Sequence, residues 1–293
     1  MENTTDQLPD IQHELKPIHE IPIFQVGVSG VKLPIILECF NQNPQRYREL
    51  VATVSMGTDL NSEMKGISMS KLHRTLIKYT DKPLKHQVLY RILGEFRTEV
   101  ETNSNDSYIK FAFEFPMYKT SPKSGITAPQ YYQCSFWATL NGDDLGNIRF
   151  FEQVTVQYAS YCPCSAALCD HLKEDNKSGF PHAQRCFAEV MIEVIHPNVI
   201  WLEEIIDLVE NAVKNIPFGI LRRMDEQELA KIAAENPMFV EDAIRAISVS
   251  LNNKSGIYDW LVECKHQESI HSSDAISKNW KGLPNGFRGT YYL

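Results

Sequence analysis

Cys186-Phe187-Ala188-Glu189-Val190-Met191-Ile192-Glu193-Val194-Ile195 alternates as a strand does, and together with the segments after it decides the fold class. Val199 to Val213 has helical spacing. Glu226 to Glu235 and Pro237 to Leu251 read as two further helical stretches, and Trp260 to Lys265 returns as a strand. The same order occurs upstream. A strand candidate, Glu49 to Val54, precedes Met69 to Tyr79, where Leu72, Leu76 and Ile77 recur at helical spacing. A second helix candidate, Leu84 to Val100, carries Val88, Leu89, Ile92 and Leu93 on one face. Two β-rich stretches come next, Tyr108 to Tyr118 and Tyr131 to Tyr158, the latter broken at Asn141-Gly142-Asp143-Asp144 as a hairpin turn would break it. Strand, helix, helix, strand appears twice. That order predicts an α+β fold of antiparallel sheets covered on one face by helices. No residue-level repeat relates the halves, so the duplication rests on element order alone.

Composition narrows the partners. A net charge of −8, from 29 basic and 37 acidic residues, gives no reason to expect a nucleic-acid surface. It still leaves room for a few focused Lys and Arg side chains to hold phosphates. No apolar run approaches the roughly 20 residues a membrane span needs. The polar, acidic start Met1-Glu2-Asn3-Thr4-Thr5-Asp6-Gln7 lacks the pattern of a signal peptide. Seven cysteines, an odd number in a chain of 293 residues, argue against a disulfide framework. Together these features predict a cytoplasmic location without a membrane partner.

The candidate chemistry centres on Tyr161-Cys162-Pro163-Cys164-Ser165 and, beyond a short polar insertion, Pro181-His182-Ala183-Gln184-Arg185. Acidic stretches at Met224-Asp225-Glu226 and Phe239-Val240-Glu241-Asp242, and the segment Glu268-Ser269-Ile270-His271, supply carboxylates and a further imidazole. Sulfur, nitrogen and oxygen donors together suit a borderline-soft divalent ion such as zinc, which would make water a nucleophile at neutral pH. Each residue also has a plainer reading. Cys162, Cys164, Cys169 and His171 could form a structural zinc knot, although the chain has no second knuckle, or the cysteines could be small buried hydrophobes. His182 could be a surface residue or a ligand at the root of a strand. Asp225 fits a helix cap beside Glu226, and Glu241 with Asp242 fits a first helical turn. Lys65, Lys71, Lys123 and Arg185 read equally as solvated surface or phosphate contacts. Phosphate-cradling GxxxxGK[ST] and GxGxxG loops and a GxSxG elbow are absent.

Taken in order, Lys65-Gly66-Ile67-Ser68-Met69-Ser70, Ser121-Pro122-Lys123-Ser124-Gly125, Cys162-Pro163-Cys164-Ser165, His182-Ala183-Gln184-Arg185, Arg223-Met224-Asp225-Glu226, Asn236-Pro237-Met238-Phe239-Val240-Glu241-Asp242 and Glu268-Ser269-Ile270-His271 before Asp274-Ala275 resemble the type IB GTP cyclohydrolases. The resemblance implies two tandem tunnelling-fold (T-fold) units, residues 21–160 and 161–293, after a flexible lead-in over residues 1–20. It implies barrels closed by oligomerisation, a homotetramer, and active sites at subunit interfaces. Carried over by position, it makes Cys162, His182 and Glu226 the ligands of one divalent metal per site, zinc first, with manganese or iron as alternatives. Glu241 becomes the anchor for the base of GTP, the substrate. Cys162, Glu268 and His271 become the catalytic set, with His271 as a proton shuttle. The implied reaction is hydrolysis at guanine C8 with loss of formate, giving 7,8-dihydroneopterin triphosphate. Ser68 and Ser273 stand where the family commonly has histidine. Two other readings compete: a T-fold reductase of a deazaguanine nitrile with a cysteine nucleophile, and a non-catalytic pterin- or purine-binding paralogue.

Overall fold

The computed structural model describes residues 15–40, 46–100, 104–142, 147–195, 197–284 and 286–287. In chain order the elements are β1 (Ile23–Glu38), β2 (Tyr47–Leu60), α1 (Met69–Ile77), α2 (His86–Glu99), β3 (Ser107–Thr120), β4 (Thr127–Leu140), β5 (Ile148–Tyr161), α3 (Pro163–Glu174), β6 (Ala183–Val194), α4 (Leu202–Val213), α5 (Arg223–Glu235), α6 (Val240–Asn253), β7 (Ile257–Gln267) and β8 (Asp274–Trp280). The strands neighbour one another in sequence order from β1 to β8. Among the described residues no helix is long and apolar enough to cross a membrane. Residues 1–14 of the expected lead-in, and Asp143 and Asp144 of the expected turn, lie outside the described residues.

Contacts divide the chain into two compact units. The first takes in residues up to Glu38, Tyr47–Ala112 and Phe136–Phe150. Within it β2 pairs antiparallel with both β1 and β3. Leu72 and Leu76 of α1 and Leu89, Ile92, Leu93 and Phe96 of α2 are buried with Val54, Met56, Ile109 and Phe111 of the strands. Gly27 and Gly57 face each other across β1 and β2, where a Cβ on either would run into the opposite backbone. The two glycines therefore permit that close approach.

The second unit takes in Cys39–Arg46, Phe113–Ser135 and Phe151–Leu293. Here β7 pairs antiparallel with β6, from Arg185 opposite Gln267 to Val194 opposite Ile257, and with β8. The alternation seen in the sequence holds: Cys186, Ala188, Val190 and Ile192 are buried together with Ile205, Ile206 and Val209 of α4 and Ile244, Ile247 and Leu251 of α6. Each Val, Leu or Ile side chain so buried contributes about 1.5–3 kcal/mol.

Three elements depart from the sequence expectation. The insertion between Cys162 and His182 holds a helix, α3, whose only buried side chain is Cys169, so its apolar periodicity is faint. Strands β1 and β8 stand at the two ends of the strand order and bury few side chains fully, which weakens the buried-exposed alternation that marks an inner strand.

Charged groups also enter the layer between α4 and the strands. Lys119 Nζ meets Asp207 Oδ1 at 2.8 Å and Glu210 Oε2 at 2.6 Å, and the Tyr132 hydroxyl donates to Glu210. Glu152 on β5 has no such company. It is 5 % exposed and its Oε2 lacks a hydrogen-bond partner. Burial first, then the carboxylates of Glu204 and Glu203, push its pKa well above the ordinary range. An unfolded chain gives up that proton near pH ~4.3 whereas the folded protein keeps it, so stability is lost as pH rises from there through the folded pKa. Glu152→Gln keeps the shape and removes the titration. Denaturant melts should show the variant gaining on the parent with rising pH, by about 1.4 kcal/mol per pH unit at most, until the folded pKa is passed. Parallel stability curves from pH 5 to 9 would contradict a buried neutral acid.

Candidate active site

Strand β5 ends at Tyr161 because Pro163 has no N–H to continue a ladder and a φ suited to the first position of a helix. Cys162 occupies the N-cap of α3 with an extended backbone, and its side chain is half-buried. Its N–H donates to the His182 carbonyl at 3.3 Å, and the His182 N–H donates to Ser165 Oγ at 3.3 Å. The chain thus leaves through α3 and returns so that the start of β6 lies beside the end of β5. The lead into α6 joins at the same place: Met238 N–H donates to the Tyr161 carbonyl at 3.2 Å, and Ser160 Oγ donates to the Met238 carbonyl at 2.5 Å.

His182 is 15 % exposed, and its Nδ1 is buried without a hydrogen-bond partner. Glu268, just past β7 and 14 % exposed, brings Oε2 to 3.8 Å from that nitrogen. Two residues along β6, Gln184 Nε2 lies 3.2 Å from Nδ1 of the buried His266, whose Nε2 meets the Tyr158 hydroxyl at 2.8 Å. The amide nitrogen can only donate, so the network assigns the proton of His266 to Nε2. Burial pushes the His266 pKa down to about 4, against the pull of the Glu241 carboxylate. Burial likewise raises the Cys264 thiol to about 12 and the Cys186 thiol further, so both are inert neutral groups beneath the site.

Glu226 is exposed in the first turn of α5 and lines a cleft of about 540 Å³ with Tyr161, Ala183, Asn215 and Leu229. Tyr161 and Ala183 are the chain neighbours of Cys162 and His182. Asp225, expected as a cap, is the third residue of α5 and accepts the N–H of the N-cap residue Arg222 at 2.8 Å. Although burial opposes its ionisation, the Ser124 hydroxyl and the N–H groups of Ser124, Arg222 and Lys123 hold its carboxyl well below the usual range. Glu241 is exposed in the first turn of α6, and His271 is exposed between β7 and β8.

The structure therefore brings Cys162, His182 and Glu268 to one junction, with Glu226 on the adjoining cleft. Among the described residues no three His, Cys, Asp or Glu side chains gather tightly enough to hold a metal ion. That also applies to the knot of Cys162, Cys164, Cys169 and His171. Cys164 is exposed, Cys169 is buried, and His171 pairs with Glu174 at 3.3 Å. Lys123 is engaged with Glu228 at 3.2 Å. Ser68 stands at the N-cap position of α1 without a side-chain capping bond, its Oγ 3.3 Å from that of Ser70. Sequence reasoning passed over Tyr158, Gln184 and His266. Gln184 was visible only as the sequel to His182, and nothing near His266 in the sequence marks it.

A family model described as type I GTP cyclohydrolase folE2 matches residues 8–277. The chain belongs to that family. Relatives include a protein of Dinoroseobacter shibae named GTP cyclohydrolase FolE2, 33 % identical over 278 residues, covering 93 % of this chain and 74 % of the relative. One of the same name from Paracoccus denitrificans is 32 % identical over 276 residues, covering 92 % and 83 %. Among solved structures, a uricase from Bacillus fastidious superposes with a TM-score of 0.52 at 7 % identity, covering 88 % of this chain and 92 % of the uricase. A hyper-thermostable uricase mutant gives the same TM-score and identity, covering 91 % and 94 %. At such identity the likeness speaks for the fold alone, and the tunnelling fold expected from the sequence fits it.

The buried network carries its own test. In an NMR titration the His266 ring should stay neutral down to a midpoint near pH 4. Because the folded value is depressed, stability should fall as pH drops from the unfolded value of ~6.5 through that midpoint. A midpoint at pH 6.5 in the folded protein would contradict the assignment.

Proposed function

We propose that this chain is a metal-dependent GTP cyclohydrolase that hydrolyses GTP at guanine C8 and releases formate, giving 7,8-dihydroneopterin triphosphate at the start of folate and pterin synthesis. The observation that carries the reading is the junction of Cys162 and His182 within a chain of this family. The two residues join there through the Cys162 N–H and the His182 carbonyl, Cys162 standing at a helix N-cap and His182 carrying a buried ring nitrogen without a partner, and these features support the reading. The donor chemistry of these residues suits a divalent ion. A half-buried sulfur, an imidazole and the nearby Glu226 carboxylate offer the mixed donor set that zinc takes in catalytic sites, with manganese or iron as the alternatives. Such an ion, when bound, lowers the pKa of water to about 7.

The chain's own residues supply the rest. Cys162, His182 and Glu226 hold the ion. Glu268 faces His182 Nδ1 and can accept its proton, which leaves Nε2 free as the donor. Glu241 accepts the N1–H and exocyclic amine of guanine with its two oxygens. Adenine would leave one of those oxygens facing an acceptor nitrogen, so the carboxylate also selects the base. His271 moves a proton at the reacting ring. The remaining expectations belong to the same reading: two tandem T-fold units, barrels closed in a homotetramer, sites completed at subunit interfaces, and a cytoplasmic location. The names of the relatives do not favour a nitrile reductase or a non-catalytic paralogue.

Purified protein loaded in turn with zinc, manganese and iron should release formate from GTP and yield a pterin that fluoresces on oxidation. Cys162→Ala should fall to background with every metal. Glu241→Ala should raise the KM for GTP roughly 10–100-fold, the loss of a charge-assisted pair of hydrogen bonds. Absence of formate with all three metals would sink the proposal.

A further inference from the structure

Helix α5 carries Glu226, yet it is poorly anchored by apolar packing. Of its thirteen residues only Asp225 and Ala233 are buried. Its orientation must come from elsewhere, and Asp225 is the evident source. This carboxylate, with no exposed surface, accepts four hydrogen bonds. Oδ1 takes the backbone N–H groups of Lys123 at 2.9 Å and Ser124 at 2.8 Å. Oδ2 takes the Ser124 hydroxyl at 2.6 Å and the Arg222 N–H at 2.8 Å. Three of the four donors belong to the Ser121–Gly125 loop, about a hundred residues upstream. That loop is itself secured, since Ser121 Oγ donates to the Ile220 carbonyl at 2.6 Å and Gly125 holds a positive φ of 67°. Lys123 Nζ adds an ion pair to Glu228 one turn along α5. The Ser121-Pro122-Lys123-Ser124-Gly125 and Arg223-Met224-Asp225-Glu226 motifs therefore meet through one side chain.

We propose that Asp225 is a positioning residue for the metal site: by clamping the Ser121–Gly125 loop to the first turn of α5 it holds the carboxylate of its neighbour Glu226 in place for the ion. This rests on the reading of Glu226 as a ligand. Rigid support of a ligand is worth about 10–100-fold in metal affinity where it has been removed. Asp225→Asn is nearly isosteric but presents an amide N–H₂ to the Arg222 N–H, donor against donor, and breaks the clamp at that corner.

Zinc affinity of the full chain, measured by competition with a chromogenic chelator well below the melting temperature, is the deciding readout. Asp225→Asn should bind zinc roughly 10–100-fold more weakly. Its kcat should return to within a few-fold of the parent at saturating zinc, and the Lys123 and Ser124 amides should lose protection from hydrogen exchange. Ser124→Ala, which removes one of the four bonds and leaves the carboxylate intact, should show a smaller loss of the same kind and serves if Asp225→Asn does not fold. Tyr132→Phe, which deletes a hydrogen bond to Glu210 in another layer, should lower the melting temperature without changing zinc affinity. If Glu226→Gln weakens zinc binding while Asp225→Asn and Ser124→Ala bind as the parent does, the clamp is overturned and the ligand reading stands. If Glu226→Gln binds as tightly as the parent, both fall together.

Discussion

The end of β5 and Cys162 just after it bond to the leads into β6 and α6 at once, and the candidate site depends on that splice. Cys162 N–H reaches the His182 carbonyl, and Tyr161 and Ser160 take hold of Met238 just before α6. Three segments separated by up to about eighty residues are thereby set by two main-chain bonds and the short Ser160 side chain. Backbone bonds of this sort resist drift, because each leaves a costly unpaired group if broken away from water. A thiol, an imidazole and the first turn of α6 with Glu241 inherit their places from it. Catalytic geometry tolerates little displacement, and a splice at the root of two strands is a rigid way to supply it.

Around that junction polar groups take the part that apolar packing takes elsewhere. His266 is sealed between Tyr158 and Gln184 and kept neutral by burial, so it backs the strands without placing a second charge beside Glu241. Asp225 holds α5 where few apolar contacts exist. Such networks specify one arrangement more sharply than apolar contacts, since a shifted register would strand donors and acceptors. Glu152, like Gln184 with its own unpaired Oε1, leaves an oxygen without a partner, and burial first, then the neighbouring carboxylates, keep this acid protonated.

How far the chain could be read depends on where its signals arise. Strand β6 and helices α2, α4 and α6 each bury one face, so their periodicity was explicit. Helix α3 buries only Cys169, and β1 and β8 end the strand order. Elements exposed on most sides carry no stripe or alternation to read. Cys162, His182, Glu226, Glu241, Glu268 and His271 were legible as chemistry-bearing residues and, together, as a family pattern. The residues that support them were not. Asp225 looks like an ordinary cap because its loop partners lie about a hundred residues away, and His266 stands between Lys265 and Gln267 with its partners on other strands. Long-range pairing leaves no local trace.

The central claim is that a sulfur from Cys162 takes part in holding the ion. X-ray absorption at the zinc edge of the zinc-loaded protein addresses it directly. The account predicts one sulfur scatterer at about 2.3 Å beside nitrogen and oxygen at about 2.0–2.2 Å, with the sulfur lost in Cys162→Ser. A shell of nitrogen and oxygen alone in the parent, or a sulfur that survives in Cys162→Ser, would contradict it.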